Sequence, residues 1–152
     1  MGSSVRFIGV PKTIDNDLCL TDHTPGYGSA AKYIATILKE VIRDSSVYNI
    51  RSVTVAEIMG RHAGWLAGAA CLAGGDDCEG PDLILLPEVP FDPDRFLTRV
   101  DELQRVKPNV IIAASEGVKT ATAPICAIWS PPPGSWMPLA QGHPQRYQPV
   151  SF

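Results

Sequence analysis

The alternation of strand-like and helix-like segments between residues 1 and 119 limits the possible folds more than any other feature. Short apolar runs predict four strands, at residues 5–10, 52–58, 83–86 and 109–114. Longer amphipathic or small-residue segments predict three helices, at residues 27–44, 62–73 and 93–106. Strand–helix–strand order of this kind favours an α/β fold with a parallel sheet and helical crossovers.

Two details support this assignment. The runs 83–86 and 109–114 are continuously apolar, as expected for strands of a parallel sheet that is covered on both faces. Asp92 followed by Pro93 is a typical helix start, with the carboxylate as N-cap and proline at the first helical position.

The overall composition excludes several function classes. The chain has 152 residues, 45% of them hydrophobic, and a net charge of −3, which gives no reason to expect binding to nucleic acid. No apolar run is long enough to span a membrane, and the start of the chain is not a signal peptide. The four cysteines lack CxxC spacing, so free thiols in a reducing cytoplasm are expected rather than a zinc site.

The composition changes near Lys119. Seven of the 14 prolines lie within residues 120–152, where Arg146 is the single charged residue. We therefore predict a domain over residues 1–119 and an irregular, Pro-rich tail over residues 120–152. A shifted reading frame or an alternative exon is one hypothesis for this tail.

Polar side chains follow three of the predicted strands. They are at Thr13–Asp17, Met59–Arg61 and Ser115–Gly117. In parallel sheets, ligands collect beyond the carboxyl ends of the strands, so these three segments are expected to form one site.

The segment Lys12–Asp17 carries one ammonium group, one hydroxyl group and two carboxylates on a loop. Phosphoryl transfer needs such groups, as a base for the attacking hydroxyl and as cations or donors for the phosphoryl oxygens. Two other interpretations stay open from the residues alone. Asp15-Asn16-Asp17 also suits an Asx-rich turn, and Asp-x-Asp after a strand is found in phosphatases that form an aspartyl phosphate.

The motifs PKTIDND, Met59-Gly60-Arg61 and Ser115-Glu116-Gly117 together resemble the phosphofructokinase family. The similarity runs from about Phe7 to Lys119. It implies a Rossmann-like phosphofructokinase fold that is incomplete in this chain. The family's architecture has two α/β domains in a homodimer or homotetramer.

The resemblance also implies a reaction and the residues that perform it. Phosphofructokinases transfer a phosphoryl group to the 1-hydroxyl of fructose 6-phosphate in glycolysis, with magnesium. Asp15 is the expected general base, supported by Asp17 and Lys12. The residues expected to bind substrate are Thr13, Ile14, Asp15, Met59, Gly60, Arg61 and Glu116.

Lys12 is the residue that indicates which phosphoryl donor the family resemblance implies. In the family, lysine at this position is typical of enzymes that use pyrophosphate, and ATP is the alternative donor. The resemblance places the main magnesium ligand and the donor loop upstream of this chain, so no metal ligand is expected within it. A second hypothesis is that the chain is a catalytically inactive fragment or a regulatory remnant.

For three further features the sequence gives weaker evidence of a functional role. Arg51 matches only approximately a family arginine that reaches a neighbouring subunit's sugar phosphate, and His62 is interpreted equally well as a solvated helix-start residue. Gly74-Gly75-Asp76-Asp77 looks like a phosphate-binding loop, but its position after a helix predicts a helix C-cap and turn.

Overall fold

A computed structural model of the protein describes residues 4–121, which are built around a three-stranded parallel sheet. The strands are β1 (Ser52–Ile58), β2 (Leu83–Leu85) and β3 (Asn109–Ser115), in the spatial order β1–β3–β2. The central strand β3 is buried from Val110 to Ser115. Its continuous apolar sequence is therefore explained by cover on both faces, and the predicted α/β fold with a parallel sheet is confirmed.

The register of the strands brings their carboxyl ends to one edge. Ile58 at the end of β1 lies opposite Ser115 at the end of β3. Leu85, which ends β2, pairs with Ala114. Whatever follows these strands therefore starts from nearly the same level of the sheet.

Within residues 4–121, three α-helices and one 3-10 helix precede or connect the strands. They are α1 (Tyr27–Ser46), α2 (Trp65–Gly68), the 3-10 helix Ala69–Ala73, and α3 (Pro93–Val106). The predicted start of α3 is confirmed, because the Asp92 carboxylate accepts hydrogen bonds from the backbone N–H groups of Asp94 and Arg95 at 3.0 and 3.1 Å.

The core lies between α1, the segment Trp65–Ala73 and the sheet. Ala67, Ala70 and Ala73 have no exposed surface, and such small side chains let the helical backbone approach its neighbours closely. The buried cluster consists of Leu38, Ile58, Leu66, Ala67, Ala70, Ala73 and Ala113.

The predicted strand at residues 5–10 is wrong. These residues belong to no strand of the described sheet, and Phe7 and Ile8 are 83% and 90% exposed. An apolar alternating sequence is not sufficient for a strand, because the backbone also needs a neighbouring strand to complete its hydrogen bonds. The loop after residue 10 is consequently positioned by other contacts.

The predicted helix at residues 62–73 starts later than expected. Residues 62–64 are irregular, the α-helical turn begins at Trp65, and the segment continues as a 3-10 helix from Ala69. Gly64 is the N-cap, and its backbone N–H, which has no partner within a helix at this position, donates to the carboxylate of Glu88 at 2.7 Å. The helix start therefore coincides with a tertiary contact that the small-residue pattern does not reveal.

The segment Gly74–Asp77 is a turn, as predicted. Gly74 is the C-cap of the 3-10 helix, and its N–H donates to the carbonyl of Cys71 at 3.1 Å. The Asp77 carboxylate forms ion pairs with Lys39, at 2.8 Å, and with Arg43 of α1. The Asp77 carboxylate is therefore paired with two cationic side chains of α1.

No helix within residues 4–121 is long and apolar enough to cross a membrane. Cys19, Cys71 and Cys78 are free thiols, whereas Cys126 lies outside the described residues. The tail predicted at residues 120–152 falls almost entirely outside them as well.

The N-cap of α3 offers a direct test of the fold. Replacing Asp92 by alanine removes the acceptor of two backbone N–H groups, so D92A is expected to lower the free energy of unfolding by about 1 kcal/mol. D92N keeps a carbonyl acceptor and is expected to lose much less. Urea unfolding followed by circular dichroism measures both, and equal losses in the two variants would contradict the capping role.

Candidate functional site

The loops after β1 and β3 are joined by backbone and side-chain hydrogen bonds. Ser115 Oγ donates to the carbonyl oxygen of Gly60 at 2.5 Å and accepts from the N–H of Gly117 at 3.1 Å. The N–H of Glu116 donates to the carbonyl oxygen of Ile58 at 2.8 Å. Two segments far apart in the sequence thereby become one surface.

The two loops approach so closely that one position must be glycine. A Cβ atom on Gly117 would lie 2.0 Å from the carbonyl oxygen of Arg61, which is far inside van der Waals contact. Gly60 contributes a second constraint, because its φ of 125° lies in a region that other residues rarely adopt. The backbone on either side of Arg61 is therefore fixed by close packing.

Arg61 and Glu116 present opposite charges at this surface. Arg61 Nη2 and Glu116 Oε2 are 4.0 Å apart, and the Arg61 side chain is 72% exposed. Glu116 Oε1 also accepts a long hydrogen bond of 3.4 Å from the N–H of Gly60. An exposed ion pair of this length is weak, so the guanidinium group is available to bind phosphate oxygens.

Buried contacts hold the loop Lys12–Asp17 from inside. Asn16 is buried in a left-handed conformation with a φ of 60°. Its Oδ1 accepts from the N–H of Thr24 at 2.9 Å, and its Nδ2 donates to the carbonyl of Asp22 at 3.1 Å. Ile14 packs against the core cluster. These contacts replace the support that a preceding strand was expected to give.

Asp15 has the electrostatic environment of a proton acceptor. Burial raises the pKa of its carboxyl group above the ordinary value, the negative charges of Asp17 and Glu116 raise it further, and Lys12 opposes them. Its Oδ1 is buried and has no hydrogen-bond partner among the described residues. The effect of Glu116 on Asp15 also indicates that the two loops face the same space.

The other predicted site residues differ in their exposure and in their hydrogen bonds. Thr13 Oγ1 accepts a hydrogen bond from the N–H of Asp15 at 3.1 Å, so Thr13 orients its neighbour. Lys12, Asp17 and Met59 are exposed, whereas the side chain of Ile14 faces the core. The Ile14 side chain is partly buried, so its predicted contact with substrate stays a prediction.

The structure also locates Arg51 and His62, for which the sequence provides weaker evidence of a role in the site. Arg51 immediately precedes β1, so it lies at the end of the strand opposite to Met59, about 26 Å away at the usual rise per residue. His62 is exposed on the loop after Arg61. No strand precedes Asp15 within residues 4–26, which removes the structural support for the aspartyl-phosphate alternative.

Sequence reasoning missed two residues that shape the site. Asn16 was part of the motif, but its buried hydrogen bonds depend on residues six and eight positions away. Glu88 follows β2 and binds the N–H of Gly64, as described above. The signal for Glu88 was available, because it is a polar residue just beyond the carboxyl end of a predicted strand.

Comparison with known proteins agrees with this geometry. Residues 1–141 match the family model described as Phosphofructokinase. The chain belongs to the phosphofructokinase family. The resemblance of its three motifs to that family is therefore confirmed.

Individual relatives cover most of the chain but less than a third of their own length. A pyrophosphate–fructose 6-phosphate 1-phosphotransferase from Xanthomonas campestris is 48% identical over 122 residues, 79% of this chain and 29% of the relative. An ATP-dependent 6-phosphofructokinase 2 from Clostridium perfringens is 40% identical, over 76% of this chain and 30% of the relative.

A solved structure supports the fold as well. The crystal structure of a pyrophosphate-dependent phosphofructokinase from Nitrosospira multiformis matches with a TM-score of 0.67 and 44% identity. The match covers 75% of this chain and 29% of that chain.

The contact between the two loops leads to a prediction with a matched control. G117A would push the Arg61 backbone away and is expected to lower the free energy of unfolding by about 2 kcal/mol. G28A places a methyl group in α1 where no atom lies within 4 Å, and it is expected to raise stability by about 0.5 kcal/mol.

Thermal and urea unfolding of both variants measure the difference. A G117A chain as stable as the G28A chain would contradict the close approach of the two loops.

Proposed function

We propose that the protein is part of a pyrophosphate-dependent phosphofructokinase that transfers a phosphoryl group to the 1-hydroxyl of fructose 6-phosphate. The observation that carries the proposal is Asp15. Its Oδ1 is buried without a hydrogen-bond partner among the described residues, and its pKa is raised by burial, by Asp17 and by Glu116 of the loop after β3. The names of the relatives from Xanthomonas and Nitrosospira support the same reaction.

The side chains divide the chemistry between them. Asp15 accepts the proton of the sugar's 1-hydroxyl while the hydroxyl oxygen attacks the phosphorus of the donor. The P–O bond between this phosphorus and the leaving phosphate breaks in the same step. A raised pKa suits this role, because a carboxylate with a higher pKa is a stronger base. Thr13 keeps the Asp15 backbone in place through its hydroxyl oxygen.

Arg61 and Glu116 hold the sugar phosphate. The exposed guanidinium group of Arg61 binds the 6-phosphate oxygens, and the half-buried carboxylate of Glu116 accepts hydrogen bonds from sugar hydroxyls. Gly60 lets the backbone approach the ligand, with the Met59 side chain exposed beside it. Binding at these loops brings the 1-hydroxyl toward Asp15.

Lys12 favours pyrophosphate over ATP as the donor. Its ammonium group lies next to the two carboxylates and is exposed, so it can stabilise the charge on the phosphoryl oxygens. The Clostridium relative, whose name specifies ATP, keeps ATP as the alternative donor.

The described residues do not fit a complete magnesium site. Within residues 4–121 no group of three His, Cys, Asp or Glu side chains could hold a metal ion. Magnesium is usually held by one or two protein carboxylates, with waters and substrate phosphates as its other ligands. Asp15 and Asp17 are therefore the carboxylates of this loop that would face such an ion, whereas the family resemblance places its main ligand upstream of this chain. We therefore assign no step to a metal ion within this part of the chain.

The proposal has two levels, because the chain spans 29% of the length of the Xanthomonas relative. For the chain itself we propose binding of fructose 6-phosphate. For the whole protein we propose the transfer step, together with the homodimer or homotetramer and the cytoplasmic location implied by the family resemblance. The free thiols of Cys19, Cys71 and Cys78 favour the same reducing compartment.

Titration calorimetry with fructose 6-phosphate tests the first level. R61A is expected to weaken binding roughly 10- to 100-fold, because the guanidinium group makes charge-assisted hydrogen bonds to phosphate. D15N is the matched control, since it removes the base but no phosphate ligand, and its affinity is expected to equal or exceed that of the unmodified chain.

Two outcomes would contradict the proposal. Absence of fructose 6-phosphate binding by the unmodified chain would exclude this substrate for the described site. Equal affinities of R61A and the unmodified chain would exclude Arg61 as the phosphate ligand.

A further inference from the structure

Glu88 connects the end of β2 to the loop that carries Arg61. β2 ends at Leu85, and a turn follows in which the N–H of Val89 donates to the carbonyl of Leu86 at 3.2 Å. This turn directs the Glu88 carboxylate to the Gly64 backbone, where Oε1 accepts from the N–H at 2.7 Å. The bond links residues 24 positions apart.

The packing around this bond is unusually close. A Cβ atom on Gly64 would lie 2.6 Å from Glu88 Oε2 and 2.9 Å from side-chain carbons of both Leu86 and Pro87. Gly64 is also buried, so its N–H would lack an acceptor if the carboxylate were absent. The turn after β2 therefore lies directly against the backbone of the 60–64 loop.

Glu88 completes a set of anchors around Arg61. Ser115 holds Gly60 on one side, Gly117 contacts the carbonyl oxygen of Arg61, and Glu88 holds Gly64 on the other side. Within residues 4–121 the charged partner of the Arg61 side chain is Glu116, at 4.0 Å. The anchors therefore fix the backbone position from which the Arg61 side chain extends toward a ligand.

We propose that Glu88 is a positioning residue for sugar-phosphate binding, which acts through the Gly64 backbone on the loop that carries Arg61. The inference rests on the proposed function, because it assumes that Arg61 binds the 6-phosphate. It adds the end of β2 to a site formed by the ends of β1 and β3. Glu88 touches neither the phosphate nor the reacting hydroxyl in this account.

The test compares E88A and E88Q in the 152-residue chain. E88A removes the acceptor and is expected to weaken fructose 6-phosphate binding roughly tenfold, because the 60–64 loop is no longer held. E88Q keeps an amide oxygen at the same place and is expected to stay within about twofold of the unmodified chain. Amide hydrogen exchange at Gly64 should accelerate in E88A alone.

D92A is the control for a general loss of stability. Asp92 is the N-cap of α3 and lies outside the proposed site. Its removal is therefore expected to leave the affinity for fructose 6-phosphate unchanged. Weakened binding in E88A but not in D92A or E88Q therefore reports on loop position rather than on overall stability.

The outcomes separate this inference from the proposed function. Binding by the unmodified chain that E88A leaves unchanged would overturn the role of Glu88 alone. An E88Q affinity as low as that of E88A would overturn the proposed hydrogen bond to Gly64. Absence of binding by the unmodified chain would overturn both the proposed function and the role of Glu88.

Discussion

The parallel pairing of β1 with β3 is the constraint on which the rest of the site depends. Its register places Ile58 opposite Ser115, so the two following loops leave the sheet side by side. The contact between Gly117 and the Arg61 carbonyl, and the Ser115 bond to Gly60, are possible only at this spacing. A slip of one residue would turn every side chain of the strand to the opposite face.

Hydrogen bonds to the backbone, rather than ion pairs, hold the loops of the site in place. The exposed pair between Arg61 and Glu116 contributes little in water, whereas a buried N–H without an acceptor costs about 1–3 kcal/mol. Asn16 satisfies the N–H of Thr24, and Glu88 satisfies that of Gly64. The charged side chains of the site are thus left available for a ligand while the loops beneath them are fixed.

Much of this arrangement could be predicted from the sequence. The strand at 52–58 and the helix at 93–106 have the predicted bounds, because hydrophobic periodicity and the Asp92-Pro93 start are local signals. The strand at 5–10 failed because periodicity does not reveal whether a neighbouring strand exists. The helix start predicted at residue 62 was wrong, because the small-residue pattern does not show that Gly64 is the N-cap and contacts a carboxylate 24 residues away.

Part of the candidate site was also accessible from the sequence. Strand-end logic correctly placed Met59–Arg61 and Ser115–Gly117 together, since parallel strands end on one edge. The premise of this logic failed for Thr13–Asp17, because no strand precedes that segment within residues 4–26, although the charge of Glu116 still acts on Asp15. That loop is held by Asn16 and Ile14, through buried contacts that no local pattern shows.

The most direct measurement of the central claim, that the 12–17 and 115–117 segments form one site, is an NMR titration of the Asp15 carboxyl group. The pKa of Asp15 is expected to lie above its ordinary value and to fall in E116Q, because that variant removes one of the negative charges that raise it. An ordinary pKa of Asp15, unchanged in E116Q, would contradict the convergence of these loops.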